Sequence, residues 1–324
     1  LQRRHFLKRI SKAGISITAA SILSYLLYDR QGPKSTFEPK KLVTLPDFSI
    51  PQRTGQTMAI VQGTSRIKTL NKAIELLGGI ERFIKPGETV VIKPNVAFAS
   101  PPILGATTHP ELISQIVRLC INKAKAGQVY VTDNPINDPK SCFTLSGIGK
   151  AATAAGAKVI LPKTNLFKHT TLTAGKLIKN WPILFEPLAK ADKLIGIAPV
   201  KSHHRAGASM AMKNWYGLLG GKRSIFHQDI NTIIAELAML VRPTLVILDG
   251  TEVMITNGPT GGSISDLERK NTLIASSDQV AADAYSCGLL GLAVSDLPYL
   301  VKAQAAKVGT TDYKSLNPLF ATIS

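Results

Sequence analysis

Short, unbroken apolar runs alternate with helix-patterned segments along most of this 324-residue chain. Met58-Ala59-Ile60-Val61, Thr89-Val90-Val91-Ile92, Val129-Tyr130-Val131 and Val159-Ile160-Leu161 have the length of strands and no polar side. Residues 66–84 carry helical periodicity and stop at Lys85-Pro86-Gly87. His109-Pro110 opens a second helix over 111–126, with Gly127 as its cap. Residues 145–156 read as a helix of small residues. A strand that is apolar on both sides must be covered on both sides. The β-α-β-α-β rhythm therefore predicts an α/β fold: a mainly parallel sheet with helices on both faces. Further on, Thr170-Thr171-Leu172 and Leu177-Ile178 suggest a small antiparallel pair. Leu194-Ile195-Gly196-Ile197-Ala198, Leu245-Val246-Ile247-Leu248 and Asn271-Thr272-Leu273-Ile274-Ala275 are further strands, and 230–241 and 279–290 further helices.

The first residues are of another kind. Leu1-Gln2-Arg3-Arg4-His5-Phe6-Leu7-Lys8 resembles a twin-arginine export signal, and an apolar stretch follows from Ala13 to Tyr28. No small-residue cleavage site follows Tyr28. The expectation is a retained N-terminal membrane-anchor helix over residues 10–28. Arg3, Arg4, Lys8, Arg9 and Lys12 would then stay on the cytoplasmic side, and the rest on the extracytoplasmic (periplasmic) face. The organisation expected is a leader and anchor over 1–29, an extended tether over 30–56 and an α/β globular domain over 57–324.

The formal net charge of +18 favours acidic partners: anionic lipid, acidic or membrane protein subunits, or a small anionic ligand. Aromatics are 6% of the chain, too sparse for a base-stacking surface, and no nucleic-acid recognition motif occurs, so nucleic acid is not expected. Cys120, Cys142 and Cys287 form no CxxC and share no metal-ligand spacing. No Cys-ligated iron–sulfur cluster is expected, and Cys120 and Cys287 read as core packing. One disulfide is left open.

Polar residues cluster where the apolar runs end. Ile92 leads to Lys93-Pro94-Asn95, the next run to Asp133-Asn134-Pro135, Ala198 to Lys201-Ser202-His203-His204, and Leu248 to Asp249-Gly250-Thr251-Glu252. Open α/β sheets bind ligands beyond the carboxyl ends of their strands. Two segments add to this set. Lys213-Asn214-Trp215-Tyr216-Gly217 runs into Gly220-Gly221-Lys222-Arg223 and His227, and Asn257-Gly258-Pro259-Thr260-Gly261-Gly262 makes a shaped loop. Lys93, Asn95, Asp133, Lys201, Lys213, Asn214, Lys222 and Gly261 are the candidate ligand-binding residues. His203 or His227 is the candidate general acid or base, because imidazole titrates near neutral pH. Asp249 or Asp133 would orient it or bind a cation. His203, His204, His227, Asp249 and Asp133 offer nitrogen and oxygen donors for a divalent metal, which stays an open alternative. Yet no H-x-x-x-H or H-E-x-x-H pair exists, and no residue is assigned as a metal ligand. Walker A, nucleophile-elbow and dinucleotide-loop spacings are all absent.

Taken in order, Lys93-Pro94-Asn95, Thr108-His109-Pro110, Lys201-Ser202-His203, Lys213-Asn214-Trp215-Tyr216-Gly217, Asp249-Gly250, Gly258-Pro259-Thr260-Gly261-Gly262 and Asp278-Gln279-Val280-Ala281-Ala282-Asp283 resemble the uncharacterised family called domain of unknown function 362. The resemblance spans roughly residues 58–292. Some relatives carry ferredoxin-like cysteine motifs, which this chain lacks, so it implies no cluster of its own. It implies the fold and the site more than any reaction. The function expected is an exported, membrane-anchored protein with an anion-binding pocket capable of catalysis. The alternative is a non-enzymatic accessory subunit of a membrane respiratory or photosynthetic electron-transfer complex.

Overall fold

The computed structural model describes residue 18, residues 41–50 and residues 57–324. Apart from Thr18, the expected leader and anchor lie outside the described residues, as does most of the expected tether. The chain divides into two compact units, Leu1–Lys40 and Lys41–Ser324, and the second holds the sheet. No helix among the described residues is long and apolar enough to cross a membrane. Residues 41–50, within the stretch expected as a tether, form neither helix nor strand. They bury Leu45 and Phe48 in the main core and bond Phe48 N to Arg242 O at 3.0 Å.

The strands are β1 (Met58–Gln62), β2 (Thr89–Lys93), β3 (Gln128–Thr132), β4 (Lys158–Ile160), β5 (Phe167–Thr170), β6 (Trp181–Leu184), β7 (Lys193–His203), β8 (Gly207–Ser209), β9 (Leu245–Met254), β10 (Leu267–Ser276) and β11 (Leu319–Thr322). The main sheet has the order β11-β1-β10-β9-β7-β2-β3-β4, with β8 pairing β7. β2, β3, β4, β7 and β9 run parallel to their neighbours in this series, whereas β10 is antiparallel to both β1 and β9. The fold is α/β with a mixed, mostly parallel sheet, as the apolar runs imply.

Helix α1 (Arg66–Leu76) ends earlier than the periodicity of 66–84 suggests. Gly78 and Gly79 adopt φ of 93° and 86°, a left-handed region closed to a continuing helix of L-residues. Helix α2 (Pro110–Arg118) passes into a wider π turn over Leu119–Lys123. The small antiparallel pair exists, but it joins β5 to β6 with Thr170 opposite Trp181. Of the residues expected to form it, Thr170 ends β5, while Thr171, Leu172, Leu177 and Ile178 lie in the connecting loop.

Strand alternation divides the core. Ile195, Ile197, Leu245 and Ile247 face one cluster, with α1 and α2; Leu194, Ala198, Val246 and Leu248 face the other, with Trp215 and helices α4 (Ile230–Leu240) and α5 (Gln279–Cys287). Cys120, Cys142 and Cys287 are all buried free thiols.

The chain lays β3 and β4 on one side of β2, then returns to place β7 and β9 on the other. Such a switch point splays the connections apart and opens a crevice at the carboxyl ends of the strands. A short helix, α3 (Ala211–Asn214), sits under this crevice. The Asp283 carboxylate holds its first turn, accepting from Ala211 N at 2.8 Å and Met212 N at 3.1 Å. Trp215 follows, wholly buried. Its ring presses so closely on Gly196 of β7 that a Cβ there would lie 2.6 Å from Cη2. Its Nε1 donates to Gln279 Oε1 at 2.6 Å. Gly196→Ala should therefore displace the indole and cost about 1–3 kcal/mol, the range for overpacking a core. Urea unfolding with tryptophan fluorescence measures both effects.

Candidate functional site

The crevice is a cavity of about 630 Å³ in the range of small-molecule sites. Lys93, Asn95, Asp133, Lys201, His203, Lys213, Asn214, His227 and Gly261 all line it. These are nine of the eleven residues singled out from the sequence; the other two, Asp249 and Lys222, do not line the cavity.

Lys93 closes β2. Its Nζ pairs with Asp133 Oδ1 at 2.6 Å and donates to Pro94 O at 2.7 Å and Asn214 Oδ1 at 3.0 Å. An ammonium has three N–H donors, and all three are used. Asp133 also accepts from Val96 N at 2.7 Å and Asn134 N at 2.9 Å. Burial pushes the Lys93 pKa down, against the pull of Asp133. Asn214 Nδ2 contacts the carbonyls of Lys93 and Ile197 at 3.2 and 3.3 Å, tying β2 to β7 across the switch point. Lys93, Asp133 and Asn214 thus build the floor, and their polar atoms are largely committed to one another. Gly217 packs so tightly on this pair that a Cβ would collide with the Asp133 carboxylate.

Lys201 and Lys213 stand differently. Lys201 Nζ donates to Ala106 O at 2.5 Å and Pro259 O at 3.2 Å and lies 5.3 Å from the Phe98 ring centroid. One N–H remains. Burial, with the charge of Lys213 adding to it, pulls its pKa down to about 7. Lys213 Nζ lies 4.8 Å from the Tyr216 ring centroid and has no hydrogen-bond acceptor among the described residues. Burial and then the Arg223 charge lower its pKa to about 7.

The two candidate histidines differ in proton placement. His203 Nδ1 accepts from Arg205 N and Ala206 N, both at 3.2 Å. The neutral ring must then carry its hydrogen on Nε2. Burial, followed by the neighbouring Lys213 charge, drives its pKa down to about 2, so it is neutral across the physiological range. His227 is the reverse. Tyr216 gives its only proton to Arg223 O at 2.5 Å, and burial raises its pKa to about 12, so it stays a phenol. Its oxygen can only accept from His227 Nδ1, 3.2 Å away, and Ser224 O, also at 3.2 Å, can only accept. His227 therefore carries its hydrogen on Nδ1, and Nε2 holds a free lone pair. Burial lowers the His227 pKa, which keeps that lone pair available.

Asp249 is elsewhere. β9 does not end at Leu248 but continues to Met254, so Asp249 is a mid-strand residue. It shares the parity of Ile247, which turns it to the face covered by α1. Arg66 Nε meets its Oδ2 there at 2.8 Å, and Arg66 also reaches Glu252 at 3.1 Å. Asp249 thus cannot orient His203 or His227. Lys222 is exposed. Its neighbour Arg223 lines the cavity instead, with Nη2 on Pro135 O at 2.8 Å. Arg223, Tyr216 and Phe98 are lining residues to which sequence reasoning gave no role, and His204, weighed there only as a metal donor, lines the cavity too. The glycines beside Lys222 marked the segment, but no spacing rule says which of two adjacent cations turns inward.

Gly261 belongs to a loop moulded by Asp266, which accepts from Asn257 Nδ2 at 2.6 Å and Ser263 N at 3.0 Å. Those bonds, that from Asn257 foremost, lower the Asp266 pKa. Asp133 is the one carboxylate among the described lining residues. No group of three His, Cys, Asp or Glu among the described residues is placed to share a metal ion.

A family model described as Domain of unknown function (DUF362) matches residues 90–288. The chain belongs to this family. The DUF362 match contains every cavity residue named above. A thylakoid-associated protein of Synechocystis sp. is 25% identical over 270 residues, covering 79% of each chain. Among solved structures, the lactate racemase apoprotein from Thermoanaerobacterium thermosaccharolyticum aligns at 15% identity and a TM-score of 0.39, covering 79% of this chain and 60% of that one. A Thermotoga maritima protein aligns at 12% identity and 0.38, covering 71% and 59%. The DUF362 chain thus spans about three-fifths of each of these two structures.

The lysine pKa values fix a pH dependence of stability. An unfolded lysine keeps its proton up to about pH 10.5, whereas folded Lys201 and Lys213 lose theirs near pH 7. Below pH 7 the cost of burying both charges is borne in full. Between about 7 and 10.5 the unfolded chain binds more protons, so stability rises with pH. Lys213→Met should remove one group's share, on the order of 1 kcal/mol per pH unit. Urea unfolding of both proteins at pH 7 and pH 9 reads the difference.

Proposed function

We propose that the crevice binds a small carboxylate or phosphate attached to an apolar body, and moves a proton at it. One observation carries this reading. Lys93, Lys201, Lys213 and Arg223 line the cavity, and its one carboxylate, Asp133, is already paired with Lys93. The uncompensated charge favours an anion and disfavours a bare cation. Lys201 keeps one N–H for the ligand, and Asn95 lines the wall beside it. Phe98, Ile136 and Tyr216 offer apolar surface. His227, with a free Nε2 lone pair, is the general base; His203, with an Nε2–H, is a hydrogen-bond donor to developing negative charge.

The same proposal places the domain outside the cytoplasm, held at a membrane by residues 10–28. Support comes from Arg3-Arg4-His5-Phe6-Leu7-Lys8 and the apolar run behind it, and from the thylakoid-associated relative. Replacing Arg3 and Arg4 by lysine should retain the protein in the cytoplasm, scored by fractionation of cells expressing the full chain. Normal export of that variant would remove the twin-arginine route.

The pocket is tested by calorimetry with sulfate, whose charge is constant between pH 6 and 9. Sulfate should bind, and more weakly as pH rises through about 7 and Lys201 and Lys213 lose charge. Lys201→Ala should weaken it about tenfold to a hundredfold, because a charged hydrogen bond contributes about 1.5–3 kcal/mol. A wild-type chain that binds neither sulfate nor simple carboxylates would leave the accessory-subunit reading in its place.

A further inference from the structure

The anion reading leaves one lining group without a task. Lys93 has its three donors saturated, and Lys201 has two of three on backbone carbonyls. Their hydrogen-bonding capacity is therefore largely committed within the fold. Lys213 is nine-tenths buried and lines the cavity, yet no described residue accepts a hydrogen bond from its Nζ. Its neighbours are the Tyr216 ring and the Arg223 guanidinium, which lies 5.8 Å from the same ring. An ammonium so placed has no counter-charge, while a neutral amine needs none. The charge that Lys213 does carry when protonated is felt at Lys201, His203 and His227. Lys213 lines the same cavity as these three residues.

We propose that Lys213 Nζ captures the carbonyl carbon of a 2-oxo acid with an apolar side chain, forming an imine in the cavity. This rests on the anion-pocket reading and names the ligand class within it. The carboxylate would take the remaining N–H of Lys201 and the field of Arg223. The amine lone pair forms the C–N bond while the carbonyl π pair moves onto oxygen. The oxygen then leaves as water with both amine protons, so the step needs no oxidant or reductant. His203 Nε2–H is the donor suited to the carbonyl oxygen as charge develops there, and His227 Nε2 is the acceptor suited to the protons in transit. The imine nitrogen, once protonated, would draw electrons from the adjacent carbon, which gives the base at His227 a proton to remove.

The experiment uses the full chain, phenylpyruvate and sodium cyanoborohydride, with tryptic mass mapping of the reduced adduct. The expected result is one label per chain, on Lys213, suppressed by excess sulfate and retained in the exposed-residue control Lys222→Arg. The trapping rate should follow a titration near neutrality instead of one near the ordinary lysine value of 10.5. Lys213→Arg, checked for folding by circular dichroism, should lose the label; the wild-type map decides the matter if that variant does not fold. Phenylpyruvate that binds by calorimetry but is trapped nowhere, or only on exposed lysines, overturns the imine and leaves the anion reading standing. Sulfate binding without phenylpyruvate binding overturns the ligand class. Failure of both to bind overturns the anion reading, and the imine with it.

Discussion

The site depends on a buried ion pair at the switch point of the sheet. Lys93 leaves β2 and Asp133 follows β3, and with both nearly out of reach of water each would be costly alone. The cost is offset by saturation: the ammonium meets three acceptors, and the carboxylate accepts from two backbone amides besides. Asn214 joins the network from α3 and ties β2 to β7. A pair so enclosed leaves no room for a side chain on Gly217, so the turn after Trp215 must pass with bare backbone. The pair also removes the site's one described carboxylate from play. The remaining lining cations, Lys201, Lys213 and Arg223, are left without an ion-pair partner of their own among the described lining residues.

Two imidazoles then share the cavity in opposite proton states. Neither assignment rests on the rings themselves. His203 is settled by two backbone N–H groups that can only donate, and His227 by a carbonyl and a tyrosine oxygen whose proton is already given away. A donor and an acceptor are thus presented to one space, within a set of groups that burial holds near or below neutrality. Lys213 completes the set as an amine without an acceptor.

Much of this was legible in the chain. The unbroken apolar runs at 89–92, 129–131 and 194–198 mark parallel strands, and Lys93, Asp133, Lys201 and His203 follow as residues near their carboxyl ends. What misled was the assumption that an apolar run ends where its strand ends. β7 continues through His203 and β9 through Met254. Inside a strand, alternation and not proximity to the end decides the face. For Lys201 and His203, separated by one residue, alternation gives a shared side, after a register shift between Pro199 and Lys201. For Asp249 it gives the wrong side, and Arg66 satisfies it there. The hairpin forms further out than expected: Thr170 pairs with Trp181, and Phe167 with Leu184.

Sequence by itself determined the fold class, the strand ends that supply the site, and the cationic character of the segments around it. These follow from hydrophobic periodicity and formal charge, which are local properties and need no partner. Tertiary structure decided which lysine is consumed by an ion pair and which is left without an acceptor. It also decided that Arg223 and not Lys222 turns inward, and which imidazole holds its proton on which nitrogen. The ion pair and the inward arginine depend on partners many residues away, Asp133 for Lys93 and Pro135 for Arg223. The imidazole protons are placed instead by turns that close only when the chain packs, at Arg205 and Ala206 for His203 and at Ser224 for His227. Burial then sets the pKa by excluding water, and only the packed chain excludes water.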